Sequence, residues 1–296
     1  MSILPRGIYP PLVTPFENEV FNAGAYAANI EKLNETGLAG YVVLGSNGES
    51  VYLQNDEALE VITAAAGARA AGMPLVVGTG RESTRATIEF TNEAARAGAD
   101  AALIVPPSYY RGAMTGAVLE AHYLAVADAS SIPLLLYHVP KFSPITFSPE
   151  MVVSLSSHPR IIGMKDTSQD MVFLTRCLSE CPEDFMIYLG TANILLAGLA
   201  LGAAGGVLAL ANIAPKECVE LCDLFEKGAI PEARELQQRL LPVNQALTVT
   251  YGIPGLKHAH DLLGMEGGGV RSPLQGLPPD SQEAIREILQ AGLGRP

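Results

Sequence analysis

Residues 133–166 read PLLLYHVPKFSPITFSPEMVVSLSSHPRIIGMKD, and the fold turns on this stretch. It opens with an unbroken apolar run at 133–137 (PLLLY) and closes with another at 161–165 (IIGMK). Neither run alternates apolar with polar residues. Both faces of each strand are therefore buried, as in a parallel sheet. Parallel neighbours need a crossover between them, and residues 148–157 supply a helical pattern for one.

The same unit recurs on either side. Apolar runs stand at 41–45 (YVVLG), 75–78 (LVVG), 101–105 (AALIV), 186–190 (MIYLG) and 206–210 (GVLAL), and residues 7–14 would be the first of the series. Helical patterns follow at 55–71, 83–97, 116–129 and 169–179. The first has Asn55 as a plausible cap with Glu57 and Glu60 early, where the helix dipole favours acids. The second opens at Ser83 and stops at Gly98, a position where glycine ends helices. Past the last strand come helices at 215–227, 231–250, near 256–263 and at 281–291. Eight β/α units predict an α/β fold, a (β/α)8 TIM barrel over residues 1–230, with a C-terminal helical extension over 231–296. A doubly wound open sheet is the alternative, but 78–83 (GTGRES) lacks the third glycine of a dinucleotide fingerprint.

Composition narrows the function. Lys+Arg number 19 against 31 Asp+Glu, a net charge of −12, which argues against nucleic acid as the partner. The start, MSILPRGIYPPL, has no basic segment followed by a long apolar core, so no signal peptide is expected. Four cysteines, 177, 181, 218 and 222, fall in two i, i+4 pairs. Free thiols in a reducing cytoplasm are expected rather than a zinc site, whose ligands more often stand two residues apart. Residues 194–211 form an apolar run long enough for a membrane span. The adjacent Gly205 and Gly206, and the lack of flanking Lys or Arg clusters, favour a buried helix ending near Gly202 and then a buried strand.

In such a barrel the chemistry lies at the C-terminal ends of the strands. There the sequence puts Gly45-Ser46-Asn47-Gly48-Glu49, Pro106 to Arg111, Tyr137-His138-Val139-Pro140, Lys165-Asp166-Thr167, Gly190-Thr191 and Asn212. Of six lysines (32, 141, 165, 216, 227 and 257), only Lys165 closes an apolar strand. Desolvation there favours a neutral amine able to attack a ketone, unless the head pairs with Asp166 or escapes to solvent. Successive amides in 45–49 could form an anion nest, or simply an ordinary turn. The five histidines show no metal-ligand spacing.

Taken together, GSNGE (45–49), Tyr109-Tyr110 with Arg111-Gly112, YHVP (137–140) and GMKD (163–166) resemble the dihydrodipicolinate synthase / N-acetylneuraminate lyase family of pyruvate-handling class I aldolases. GGVLALAN (205–212), YGIPGLK (251–257) and RSPLQ (271–275) look like its 4-hydroxy-2-oxoglutarate aldolase branch. The resemblance implies that Lys165 forms a Schiff base with an oxo acid, with no cofactor or metal. It implies Tyr137, Ser46 and Tyr110 as a proton chain, with Tyr110 reaching a neighbour's site in a homotetramer built from dimers. Ser46, Asn47, Gly190, Val207 and Asn212 would bind substrate, and pyruvate and an aldehyde would be the partners. Lys141, Arg111 and Asn212 are candidates for a second carboxylate. Dihydrodipicolinate synthase and sugar-acid aldolases or dehydratases are the alternatives within the family. A non-catalytic oxo-acid-binding barrel and a single-span membrane protein are the alternatives outside it. The synthase carries an arginine two residues after the proline of its YNVP motif; here that place holds Phe142, after Lys141.

Overall fold

In the computed structural model, which describes residues 4–295, eight parallel strands curl into a barrel. They are β1 (Gly7–Tyr9), β2 (Tyr41–Val43), β3 (Leu75–Gly78), β4 (Ala101–Ile104), β5 (Leu134–His138), β6 (Ile161–Asp166), β7 (Met186–Leu189) and β8 (Gly205–Val207). Each pairs with its successor from β2 to β8, and β8 pairs with β1. The ring closes just past β1, where Leu12 N–H donates to the Val42 carbonyl at 2.8 Å and Val42 N–H to that of Pro10 at 3.1 Å.

Unbroken apolar strands suit this closure because alternate residues face two different cores. Val42, Val76, Leu103, Leu135 and Val207 point into the barrel and fill it together with Tyr9 and Tyr188. Val43, Val77, Ile104, Leu134 and Leu136 point outward onto the helices. The crossovers are α1 (Ala23–Leu33), α2 (Asn55–Ala68), α3 (Thr84–Arg96), α4 (Gly116–Ala129), α5 (Pro149–Ser156), α6 (Met171–Glu180) and α7 (Leu195–Leu201). Ser83 and Ser148 cap α3 and α5 by accepting from Ala86 and Met151 N–H.

Several expectations are corrected. α2 is capped by Gln54, not Asn55, in a reciprocal box with Glu57. The helix α1 and the small hairpin Phe16–Glu17/Val20–Phe21 have no counterpart in the sequence reading. Residues 22–33 (NAGAYAANIEKL) carry few large apolar residues to mark a helical period. The last strand starts at Gly205 and ends by Val207, with a 3-10 turn, Ala209–Asn212, in place of its expected second half. Gly205 has φ +134°, and a Cβ there would lie 2.0 Å from the Gly7 carbonyl oxygen, so the seam between β8 and β1 requires glycine. α7 stops at Gly202 (φ +108°), and among the described residues no helix is long and apolar enough to cross a membrane.

After α8 (Pro215–Glu226) come α9 (Ile230–Gln245), a π-turn at Ala246–Thr250, α10 (Gly252–Leu262) and α11 (Pro279–Leu293). This extension reaches back over the strand exits. Lys257 of α10 forms an ion pair with Glu49 at 2.6 Å, and both side chains are almost fully buried. Arg271 N–H donates to the second oxygen of Glu49 at 2.8 Å.

His260, also on α10, is 1% exposed. Burial, and then the charge of Lys257, lower its pKa to about 4. In an unfolded chain a histidine titrates near ~6.5, so between ~6.5 and ~4 the unfolded state binds a proton that the fold refuses. This contribution to stability is complete above ~6.5, declines as pH falls and levels off below ~4, a loss of about 3 kcal/mol. Urea unfolding at pH 7, 5.5 and 4 is expected to show a shallower pH dependence in His260→Gln than in the wild type. Parallel profiles for the two proteins would refute this assignment.

Candidate active site

Neighbouring strand ends bring the reactive groups together. Tyr137 of β5 and Lys165 of β6 are direct register partners, as are His138 and Asp166 one residue on. Successive residues face opposite sides of a sheet, so the first pair shares the barrel interior and the second faces the helices. Lys165 is 4% exposed. Its Nζ donates to Tyr137 Oη at 3.2 Å and sits 4.3 Å from the centre of that ring. Tyr137 Oη lies 3.4 Å from Ser46 Oγ, which completes a chain of three groups.

Asp166 does not pair with Lys165. Its carboxylate accepts from His138 Nδ1 at 2.8 Å and from Ser168 N–H and Oγ, both at 3.0 Å. Phe147 N–H donates to His138 Nε2 at 3.4 Å, so that nitrogen accepts and the ring proton sits on Nδ1, facing Asp166. The ring is stacked on Phe147 and tilted against Phe173, with centroids 5.0 Å and 4.9 Å away. The carboxylate next in sequence to the lysine is thus saturated on the far face of the sheet.

The GSNGE loop follows β2. Leu44 turns left-handed (φ +55°), and a Cβ at Gly78 would lie 2.1 Å from its carbonyl oxygen, so only glycine fits beside this bend. Residues Ser46–Gly48 form one 3-10 turn. Among the described residues, the amides of Ser46 and Asn47 have no protein partner, so two donors are left for an anion. Thr14 Oγ1 donates to Gly48 O at 2.9 Å, and Asn47 Nδ2 approaches Pro11 O at 3.5 Å.

A cavity of about 630 Å³ opens beside Ser46 and Tyr137, with Val139, Phe142 and Ser143 also in its wall. The other expected residues distribute as follows. Val207 lies deeper in the barrel core. Gly190 directly follows β7, and a Cβ there would strike Thr167 Oγ1 at 2.1 Å. Asn212 is fully buried, and its amide nitrogen donates to the carbonyls of Pro11 and Ala209, both at 3.0 Å. With both amide hydrogens spent there, it rivets the barrel seam and has no donor left for a carboxylate. Tyr110 is 72% exposed and packs edge-on against Tyr109, so one subunit alone does not bring it to Ser46 and Tyr137. Lys141 and Arg111 are exposed and outside the cavity wall. The cation in that wall is Arg81, at the exit of β3. Sequence reasoning tests 78–83 only for a nucleotide fingerprint and so passes over the arginine within it.

Among the described residues no three His, Cys, Asp or Glu side chains are placed to hold a metal ion. Burial pushes the thiols of Cys177 and Cys222 up to about 12, so they stand as protonated core groups.

Known proteins share this architecture along almost the whole chain. A sequence model of the Dihydrodipicolinate synthetase family matches residues 4–292. The 4-hydroxy-tetrahydrodipicolinate synthase of Methanothrix thermoacetophila is 35% identical over 286 residues, 96% of each chain. A probable mitochondrial 4-hydroxy-2-oxoglutarate aldolase of Emericella nidulans is 37% identical over 284 residues, 94% of this chain and 91% of that one. The crystal structure of a dihydrodipicolinate synthase from Bacillus anthracis superposes with a TM-score of 0.93 at 28% identity, covering 97% of this chain and 98% of that one. With the family model matching residues 4–292 and relatives 35% and 37% identical along nearly the full length, the chain belongs to the dihydrodipicolinate synthetase family of carbon–carbon lyases.

Proposed function

We propose that the protein is a Schiff-base aldolase that cleaves 4-hydroxy-2-oxoglutarate to pyruvate and glyoxylate. The observation that carries this reading is a buried lysine amine with no carboxylate on it, 3.2 Å from a tyrosine hydroxyl that in turn meets Ser46. Lys165 Nζ attacks the C2 carbonyl, and loss of water from the carbinolamine leaves a protonated imine. The C4 hydroxyl then gives up its proton, the C3–C4 bond breaks, and its electron pair moves into the iminium to form an enamine. The aldehyde carbon leaves as glyoxylate. Protonation at C3 and hydrolysis of the imine release pyruvate and restore the amine. The iminium is the electron sink, so the chemistry calls for no metal or cofactor. Tyr137 suits the proton transfers, and Ser46 can relay them. The amides of Ser46 and Asn47 suit the C1 carboxylate.

The relatives' names divide between a synthase and an aldolase. Phe142 favours the aldolase, because it stands in the cavity wall where the synthase has its arginine. An apolar ring cannot offer the bidentate fork that a semialdehyde carboxylate would use. The exposed pair Tyr109 and Tyr110 supports a further part of the reading, that the enzyme is a homotetramer of dimers in which Tyr110 closes a partner's proton chain.

Borohydride reduction with pyruvate is expected to fix the label on Lys165, as peptide mass mapping would show. Lys165→Ala should be inert, and Tyr137→Phe should lose roughly 10²- to 10⁴-fold in kcat. Label on another lysine would end the proposal. The protein should also be a poor synthase: pyruvate and aspartate semialdehyde should condense about 10- to 150-fold less efficiently than 4-hydroxy-2-oxoglutarate is cleaved. Equal efficiencies would invert this substrate ranking. Finally, inactive Tyr110→Phe and Lys165→Ala subunits, dissociated and reassembled together, should regain activity in the hybrids. Mixed oligomers that stay inactive would exclude Tyr110 from working across the interface.

A further inference from the structure

The wall of the 630 Å³ cavity contains one cation, Arg81, and two acids, Glu49 and Glu82. Both acids are engaged elsewhere. Glu49 faces Lys257 at 2.6 Å. Glu82 accepts from the amides of Ser108 at 3.0 Å and Tyr109 at 2.9 Å. Arg81 is different. Its guanidinium lies 3.8 Å above the ring of Phe90, which holds its plane. Nη1 donates to the Gly80 carbonyl and Nη2 to Asn55 Oδ1, both at 3.0 Å. Those contacts use two of five N–H donors. Glu93 acts on it only at a distance, and among the described residues no carboxylate forms an ion pair with it. The side chain is half-buried, so its charge is partly stripped of water and not repaid by a counter-ion.

Topology puts this charge in a useful place. Arg81 leaves the exit of β3, and Ser46 leaves that of β2, the adjacent strand. Both line the cavity that also contains Tyr137. A five-carbon hydroxy-oxo diacid with C2 on Lys165 and C1 on the Ser46 and Asn47 amides would send its far end into that cavity. Phe142 offers it no charge. We infer that Arg81 binds the distal carboxylate of the substrate, and so selects aldehydes that carry an acid group, such as glyoxylate, over neutral ones. The guanidinium thus reaches the aldehyde half from β3 rather than from the loop after β5. This inference rests on the aldolase reading above and names the residue that sets its specificity.

The test compares 4-hydroxy-2-oxoglutarate with 4-hydroxy-2-oxopentanoate, in which a methyl group replaces the distal carboxylate. Pyruvate release is the readout, in the wild type, Arg81→Met, Arg81→Gln and Arg81→Lys, each first shown to unfold cooperatively. The Gln amide can keep the bonds to Gly80 and Asn55 should the Met variant not fold. Losing a charge-assisted contact should lower kcat/KM for the dicarboxylate by about 10- to 150-fold, mostly through KM, with Lys recovering part of the loss. The methyl analogue should change less than about 3-fold, within the range of uncoupled surface changes. Equal losses on both substrates, or no loss on either, would overturn the assignment. Imine trapping with pyruvate separates the two levels. Trapping that persists in Arg81→Gln while discrimination disappears supports the proposal. A wild type that traps no pyruvate removes the aldolase reading, and this inference with it.

Discussion

The loop that carries Ser46 and Asn47 is held from behind by charges that water does not reach. Glu49, the last residue of GSNGE, is left-handed (φ +54°), and its carboxylate is turned under the loop onto Lys257. The aromatic ring of Phe16 lies between two cations, 4.6 Å from Lys257 Nζ and 4.3 Å from the guanidinium of Arg271. Arg271 continues to both oxygens of Glu57, at 2.7 Å and 2.8 Å, on the first turn of α2. Burial outweighs the attraction of Glu49 and lowers the pKa of Lys257. The pair therefore gains little net stability, yet it is costly to break: removing one partner from a buried pair costs about 3–5 kcal/mol. Its value is positional. The helical extension, more than two hundred residues away in sequence, fixes where the two free amides point.

The ends of β5 and β6 show the same economy of charge. Each strand contributes consecutive polar residues, and the pleat sends them to opposite faces. Inside stand Tyr137 and Lys165; outside stand His138 and Asp166. A lysine amine can act as a nucleophile only while no strong counter-charge holds its proton. The nearest carboxylate in sequence would be such a counter-charge if it shared that face. Instead it accepts three hydrogen bonds from His138 and Ser168. The sequence pair Lys-Asp thus separates into an amine free of any carboxylate and an acid that ties β5 to β6 directly behind it.

The barrel was legible because each strand is an uninterrupted apolar run and each stop is local. Leu75–Gly78 and Gly116–Ala129 fall where the pattern puts them. Alanine-rich α1 was not legible, since little in 22–33 marks a face. The π-turn after α9 was not either; it follows Pro242 inside that helix, and tertiary packing decides how such a turn resolves. That Lys165, Tyr137 and Ser46 lie together could be anticipated because all three stand at or just past strand ends, where such barrels keep their chemistry. Lys257 could not: one lysine among six on a helical stretch gives no hint of a partner at position 49. Asn212 shows the converse error. A polar residue after the last strand looked available for substrate, and only the three-dimensional seam beside Pro11 reveals that its donors are used.

Relatives of similar identity, 35% and 37%, carry different names, and the division between strand and loop shows where this chain can vary without disturbing its barrel. Tyr137 and Lys165 sit within β5 and β6, where the ladder and two cores fix them. Other groups in the cavity wall sit just beyond strand exits: Arg81 after β3, and Phe142 and Ser143 after β5. A loop residue can change there without disturbing the barrel. Ser143 is 2% exposed, and among the described residues its hydroxyl has no partner, an unmet hydrogen bond in the wall of the same cavity. A buried hydroxyl without a partner costs about 1–3 kcal/mol, which a ligand oxygen can return. The fold therefore holds the strand-borne groups rigidly and leaves the rest of the cavity wall to a few exits, and relatives of nearly equal identity to this chain carry different names.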